Sequence, residues 1–141
     1  MKRLLAALLV LCAVPAGATE QLAGNWEIVA KCGDGHEAQG SFDLHRTDEP
    51  TVFDGRLARF DEFENDHARA RVYGDAEGLI VLEFFRRVDR AGRRCDGEAC
   101  LYADMIAMEM TRAPDGGLAG TYNRWRWFNT VTCHVVARHS P

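Results

Sequence analysis

The chain lacks the repeat of apolar residues that marks an amphipathic helix. After residue 18, no window keeps apolar residues at i, i+3, i+4 and i+7 without interruption by glycine or a turn residue. A surplus of basic residues is missing as well, because 17 Lys+Arg against 21 Asp+Glu give a formal net charge of −4. An acidic chain is poorly suited to nucleic acid or to an anionic membrane, so we expect neither partner.

Recognisable catalytic motifs are also absent. The sequence has no Gly-x-Ser-x-Gly elbow and no His-Glu-x-x-His pair, and its five histidines form no triad pattern with its serines. His36 with Glu37, or His45 with Asp43, could contribute to a metal site. Adjacent strand residues point to opposite faces, which argues against the His36 pair. We therefore expect no catalytic residues, no metal and no cofactor.

The first eighteen residues are typical of an export signal. Lys2 and Arg3 form a basic start, an apolar run covers 4–14, and a small-residue cleavage site ends at Ala18. The run is too short to span a bilayer as a helix. We expect cleavage after Ala18 and a periplasmic or secreted protein without a membrane anchor. Residues 19–141 then form a single domain.

Cleavage leaves four cysteines: Cys32, Cys95, Cys100 and Cys133. An even number in an exported chain predicts two disulfides, for which four cysteines allow three connectivities. A zinc site is the rival interpretation, but Cys95 and Cys100 are too far apart for a C-x2-C pair and no His-x3-His follows. Because Cys95 and Cys100 bracket only Asp-Gly-Glu-Ala, we expect them to staple a hairpin loop.

Alternation of polar and apolar residues predicts eight strands. The segments are about 24–32, 39–46, 51–60, 67–73, 78–87, 100–112, 117–128 and 130–138. Short stretches rich in Gly, Asp and Pro separate them. Even spacing with short connections predicts an antiparallel meander, and eight strands can close into a barrel that leaves no exposed edge.

Closure would place the first strand beside the last, and the cysteines fit that arrangement. Cys32 ends the first segment and Cys133 begins the last, so a disulfide between them sets an antiparallel register in which paired residue numbers add to 165. The paired residues then carry opposite charges or are both apolar, as cross-strand neighbours favour: Glu27 with Arg138, Val29 with Val136, and Ala30 with Val135.

The step Gly24-Asn25-Trp26 resembles the Gly-x-Trp motif that opens the first strand of the calycin superfamily, the lipocalins and their smaller relatives. "LAGNWEI" is also similar to the opening of small bacterial periplasmic protease inhibitors of the calycin type. The resemblance implies a barrel in which Trp26 plugs one end and a late arginine, Arg138 or Arg124, packs against its indole. The register above places Arg138 on the face opposite Trp26.

The segment "YNRWRWF" is the most unusual in composition. Trp125 and Trp127 share one strand face, whereas Tyr122, Arg124 and Arg126 share the other. The tryptophans can then line the bore against a ligand, or fill the core, because an eight-stranded barrel is either just filled or holds one small ligand. A third interpretation places Arg124 and Arg126 outside, among aromatics, as a binding face.

Two other segments bear on a pocket. In "HARARV", the small residues Ala68 and Ala70 point inward and leave space for a ligand or for a tryptophan of the core. In "LYADMIAMEM", methionines can adapt to an irregular ligand or fill core gaps. The candidate ligand-binding residues are Trp26, Trp125, Trp127, Met105, Met108 and Tyr122.

Two charged segments are interpreted as loops. One is an arginine run that could capture an anion, but neighbouring acids balance it, and we expect a solvated loop: Arg86, Arg87, Arg90, Arg93 and Arg94, with Asp89, Asp96 and Glu98. The other is "FDEFEND" (60–66), an acidic stretch with Phe60 and Phe63 that we expect to form a lid at the barrel mouth.

The sequence thus predicts an all-β, disulfide-stapled, eight-stranded antiparallel barrel that binds rather than catalyses. The leading hypothesis is a small apolar or aromatic ligand in the barrel. The rival is a protein inhibitor of a secreted hydrolase, of the protease or lysozyme type, and a third is a structural envelope protein without a ligand. An inhibitor would show a rigid exposed loop with apolar tips and a filled bore, whereas a carrier would show an open mouth and a cavity.

Overall fold

The eight predicted strands form one closed antiparallel barrel. The computed structural model describes residues 22–61, 65–74, 78–126 and 128–141, so the expected signal peptide lies outside the described residues. Each strand pairs with its neighbours in chain order and β8 returns to β1, which confirms the predicted meander. The strands are β1 (Gly24–Cys32), β2 (Glu37–Arg46), β3 (Val52–Phe60), β4 (His67–Val72), β5 (Ile80–Val88), β6 (Leu101–Arg112), β7 (Leu118–Arg126) and β8 (Asn129–His139).

The part of the chain that the structure describes is strand and turn throughout. It contains no helix that is long and apolar enough to cross a membrane. This agrees with the absence of a helical apolar repeat in the sequence. The sequence has period-two alternation instead, which buries one face of each strand and leaves the other exposed to solvent.

The closing pair of strands has the register that the cysteines predict. Cys32 faces Cys133 in a disulfide with the Cα atoms 3.9 Å apart, and Glu27 faces Arg138 further along. The second predicted disulfide, between Cys95 and Cys100, is also confirmed. The barrel is therefore tied covalently where its first and last strands meet.

Trp26 plugs one end of the barrel, hereafter the closed end. Its indole is fully buried, its Nε1–H donates to the Leu22 carbonyl at 2.9 Å, and the His139 ring lies against it with centroids 3.8 Å apart. The predicted contact between a late arginine and the indole is therefore wrong for Arg138. Arg138 faces outward toward Asp115 at 3.6 Å, because alternation along β8 turns the next residue, His139, toward the indole.

Arg124, the second candidate for that contact, lies near the opposite end of the barrel. β7 starts at the closed end with Leu118 and ends at Arg126, where the hairpin turns into β8. That opposite end is hereafter the mouth end. It also carries both disulfides and the connections after β1, β3 and β5.

A column of contacting aromatic rings runs through the core from the closed end toward the mouth end. Phe42 contacts Phe84 with ring centroids 5.3 Å apart, Phe84 contacts Phe60 at 5.4 Å, and Phe60 contacts Tyr122 at 6.4 Å. Phe60 is therefore a core residue, and its predicted place in a lid is wrong. Phe63, the other aromatic of that predicted lid, lies outside the described residues.

The small inward residues of β4 make room for phenylalanines. Ala70 pairs with Phe53 on β3, and Ala68 pairs with Phe84 on β5. All four side chains are buried. The space that the sequence left open to a ligand or a tryptophan is thus occupied at these positions by phenylalanine side chains.

Candidate functional site

The barrel wall opens between β6 and β7 on the side of the mouth end. In the part of the chain that the structure describes, these strands pair only through 109–112 and 118–121. β6 continues along β5 through 101–108, and β7 continues along β8 through 122–126. Residues 101–108 and 122–126 therefore flank a wedge without a ladder, which we call the β6–β7 gap.

A bulge in β6 accompanies the separation. The β5–β6 register shifts between the pairs Phe84↔Ile106 and Arg86↔Ala103, and Asp104 in the bulge has a φ of 53°. Bulges bend the strand that carries the extra residue. Asn65 holds this one in place, because its buried side-chain amide donates to the Asp104 carbonyl at 3.0 Å. The bend lies in the half of β6 that leaves β7.

Main-chain groups of both strands point into the gap. The Ala113 N–H donates to the Gly117 carbonyl at 2.8 Å, so odd-numbered residues of β6 direct their N–H and C=O groups toward β7. Because these directions alternate along a strand, Ala107 on β6 and Asn123 and Trp125 on β7 aim theirs into the gap. The described pairing between β6 and β7 stops short of these three residues.

Four of the six candidate ligand-binding residues lie on the strands that flank this gap. Met108 and Tyr122 are buried on the inner face. Met105 and Trp125 lie on the outer face, where 46% and 78% of their surface is exposed. Met108 and Tyr122 therefore point into the core cluster, whereas Met105 and Trp125 lie on the outer face of the segments that flank the gap.

The structure corrects the predictions for two of the three candidate tryptophans. Trp125 does not line the bore, because Tyr122 packs inward and alternation turns Trp125 to the outside. Trp26 is at the closed end, where it seals the core and has no place in the gap. Trp127 lies outside the described residues. The sequence contains a signal for this orientation. Leu118 is apolar and lies an even number of residues from Tyr122, so both side chains are on the same face of β7.

Strands β7 and β8 form a hairpin, hereafter the β7–β8 hairpin, whose described residues 122–126 and 128–133 extend beyond the neighbouring strands. Past the pair Tyr122↔Cys133 its strands pair with each other, and the Cys32–Cys133 disulfide ties its base to β1. At its tip, 95% of Phe128 is exposed. Arg124 is half-buried with its Nη1 atom covered, so the predicted outward pair of arginines is wrong for Arg124. The Arg126 side chain lies outside the description.

The arginine run forms a loop only in part, because Arg86 and Arg87 lie in β5. Arg93 pairs with Asp89 at 2.8 Å, Arg94 lies 3.7 Å from Asp66, and Arg87 donates to the Gly97 carbonyl. The backbone N–H of Arg93, with further help from its side chain and the Ala91 N–H, holds the pKa of Asp89 below its ordinary value. The Arg93–Asp89 pair agrees with the predicted balance of charge, whereas Arg86 pairs with Asp104 and Arg94 lies near Asp66, which were not among the predicted acids.

A second aromatic cluster, which the sequence analysis missed, covers the outer face of β4–β6. Phe85 is buried there beneath the His67 ring, at 5.5 Å, and the Tyr102 ring, at 4.9 Å. The Arg69 guanidinium lies 5.1 Å from the Phe85 centroid. Burial lowers the pKa of Arg69, but hydrogen bonds to Asp54 and Tyr102 outweigh it and leave the pKa raised. The cluster packs on the outer face of the wall, and its Tyr102 belongs to the segment of β6 that flanks the gap.

Metal ligands do not gather in the described ranges. Within residues 22–61, 65–74, 78–126 and 128–141, no group of three or more His, Cys, Asp and Glu side chains is close enough to hold an ion. His45 lies 3.3 Å from Asp43, and the four cysteines of these ranges form the two disulfides.

Comparison with known proteins shows likeness in fold. No family model and no curated protein matches the chain. EF1p2_mFAP2b bound to DFHBI is similar with a TM-score of 0.57 and 10% identity over 89% of this chain and 98% of that one. A de novo designed fluorescence-activating β-barrel gives 0.52 and 14% over 87% and 97%. The redesigned β-barrel mFAP1 bound to DFHBI gives 0.51 and 14% over 86% and 98%.

Proposed function

We propose that this β-barrel is an exported, non-catalytic binding protein that holds a small apolar or aromatic ligand at the β6–β7 gap. One observation carries the proposal. The described β6–β7 ladder stops at Glu109↔Thr121, and Met105, Met108, Tyr122 and Trp125 lie on the strand segments beyond that pair. Binding sites are commonly apolar openings with a few polar groups that orient the ligand, and the gap combines both.

The packing of the bore moves the proposed ligand from the barrel centre to its wall. The aromatic column through Phe42, Phe84 and Phe60 lies in the core at the barrel centre. A ligand at the gap needs no displacement of that column. It would contact Met108 and Tyr122 from the inner side and Met105 and Trp125 from the outer side. Methionine sulfur and aromatic rings make favourable contacts with a flat apolar molecule.

Two further observations support parts of the proposal. Two of the similar barrels are bound to DFHBI, which makes a small aromatic ligand a reasonable first probe for a barrel of this shape. The signal-like residues 1–18 and the two disulfides are typical of an exported protein.

Titration with DFHBI tests the proposal. The exported protein should quench its tryptophan emission as DFHBI is added, and Trp125→Ala should weaken binding by about tenfold, the factor that about 1.4 kcal/mol of stacking supplies. Tyr73→Ala is the control, because Tyr73 is an exposed aromatic next to the closed end of β4. Equal affinities for both variants, or no binding of DFHBI, would reject the gap as the site. The intact mass of the exported protein tests cleavage after Ala18.

A protein inhibitor of a secreted hydrolase is the second candidate, and the exposed tip of the β7–β8 hairpin favours it. Phe128 and Trp125 present apolar surface on a hairpin with a disulfide at its base, and exposed aromatics of this kind often anchor protein interfaces. Assays of a lysozyme and of secreted serine proteases, with the wild type and with Phe128→Ser, test this candidate. Inhibition that Phe128→Ser abolishes would favour the inhibitor.

A further inference from the structure

We propose that the ligand of the β6–β7 gap is a planar heteroaromatic molecule with hydrogen-bonding groups on its rim, and that it lies in the plane of the barrel wall. This inference rests on the proposed function and names the ligand class for the same site. A flexible lipid chain, the other ligand that an apolar barrel site would take, is excluded by the main-chain groups that the gap presents.

The gap presents main-chain groups from both of its flanking strands. Ala107 directs its N–H and C=O into the gap from one side, and Asn123 and Trp125 direct theirs from the other. A ligand that fills the gap removes water from them. Dehydrated main-chain groups cost free energy unless they gain new partners. An alkyl chain supplies none, whereas ring nitrogens and carbonyl oxygens on the rim of a heteroaromatic supply both donors and acceptors.

Methionine and aromatic side chains lie on both faces of the wall at the gap. Met108 and Tyr122 lie on the inner side of the wall, and Met105 and Trp125 lie on the outer side. A flat molecule in the plane of the wall therefore turns its rim toward the strand edges and its two faces toward methionine and aromatic side chains. That orientation satisfies the main chain and the side chains at the same time.

The shape of the gap also favours a rigid ligand. The gap closes at the pair Glu109↔Thr121, below which the ladder is complete. The gap is thus a wedge that is closed at one end and open toward the mouth end, a shape that suits a short rigid molecule. Neighbouring strands are about 4.8 Å apart in a normal sheet, so the wedge widens from that spacing toward the mouth end.

Binding of two fluorescent probes of different class tests the inference. Lumichrome is a planar heteroaromatic with N–H and C=O groups on its rim, and cis-parinaric acid is a fluorescent fatty acid. The exported protein should bind lumichrome at least about tenfold more tightly than cis-parinaric acid. Equal affinities, or tighter binding of the fatty acid, would overturn the inference while leaving the gap as a ligand site. If lumichrome, cis-parinaric acid and DFHBI all fail to bind, the proposed function itself fails.

A matched pair of variants tests the role of the main chain. Asn123→Pro removes the N–H that points into the gap, and Asn123→Ala keeps it. Both lose the contact in which the Asn123 side chain accepts from Thr132 Oγ1 at 3.2 Å. Proline is tolerated where a strand N–H faces away from its ladder, and even-numbered residues of β7 carry the pairing with β8. Asn123→Pro should bind lumichrome at least about fivefold more weakly than Asn123→Ala, with cis-parinaric acid unchanged.

The same comparison can be made at Ala107 on the facing strand, so that the test does not depend on whether one proline variant folds. Ala107→Pro removes the N–H on the β6 side, and Ala107→Gly keeps it. If circular dichroism shows that Asn123→Pro does not fold, the Ala107 pair should give the same weakening for lumichrome. Equal affinities within the folded pair would show that the main-chain groups do not bind the ligand, and would overturn the inference.

Discussion

Trp26 and His139 lie against each other at the closed end of the barrel, with ring centroids 3.8 Å apart and ring planes inclined by 32°. The indole is fully buried and donates to the Leu22 carbonyl, whereas His139 is exposed on its other side. The contact joins the start of β1 to the end of β8. The indole therefore contributes more to the stability of this end than the imidazole does.

Replacement of the indole should accordingly cost far more than replacement of the imidazole. Trp26→Ala should lower the free energy of unfolding by about 3–5 kcal/mol, as large-to-small changes of buried aromatics do. His139→Ala should cost less than about 1.5 kcal/mol, because the ring offers one face to the core. Urea denaturation of both variants gives the comparison. Equal losses would contradict the prediction and would mean that both rings contribute equally to the closed end.

The two disulfides should differ in their contribution to stability. Cys32 and Cys133 are 101 residues apart in sequence, and Cys95 and Cys100 are 5 apart. The chain-entropy model gives about 4–5 kcal/mol for the long loop and about 2 kcal/mol for the short one. The double variant Cys32→Ala/Cys133→Ala should therefore melt at a lower temperature than Cys95→Ala/Cys100→Ala. Thermal denaturation under non-reducing conditions measures this, and the reverse order would contradict it.

Gly120 is required because two main chains approach closely. A Cβ at this position would lie 1.9 Å from the Glu109 carbonyl oxygen, so Gly120→Ala must displace β6 or β7. We expect a loss of about 1–3 kcal/mol, as for overpacked cores. Gly74→Ala is the control, because an added Cβ there meets nothing within 4 Å. Chemical denaturation compares the two, and a neutral Gly120→Ala would mean that the strands separate at no cost.

Acid should loosen the turn that follows β5. The backbone N–H of Arg93, its side chain and the Ala91 N–H all donate to the Asp89 carboxylate and lower the pKa of Asp89. A folded-state pKa below the unfolded value means that the ionised carboxylate stabilises the turn above the unfolded pKa, and that this is lost as pH falls through the folded pKa. A carbon-detected NMR titration should place the Asp89 midpoint below that of the same residue in urea. Coincident midpoints would refute the hydrogen bonds.

Much of the fold follows from local alternation in the sequence. The eight strands, the β1–β8 register and both disulfides are all predicted from it, because period-two patterns and turn residues act over a few positions and one cysteine pair sets the closing register. The sequence Leu-Ala-Gly occurs twice, at 22–24 and at 118–120, and the two glycines are required for different reasons. Gly24 has a φ of 126°, whereas Gly120 is needed for the close approach of two strands.

The candidate site depends on contacts that alternation does not specify. Alternation states that Tyr122 and Trp125 face opposite ways but leaves open which of them is inside, and the packing of Tyr122 on Phe60 decides it. The gap lies beside a bulge at Asp104, whose carbonyl accepts from Asn65, 39 residues away. The sequence by itself determined the strands and their closure, since those rest on short-range patterns. Only the tertiary structure decided where the wall opens, because that depends on how distant segments pack.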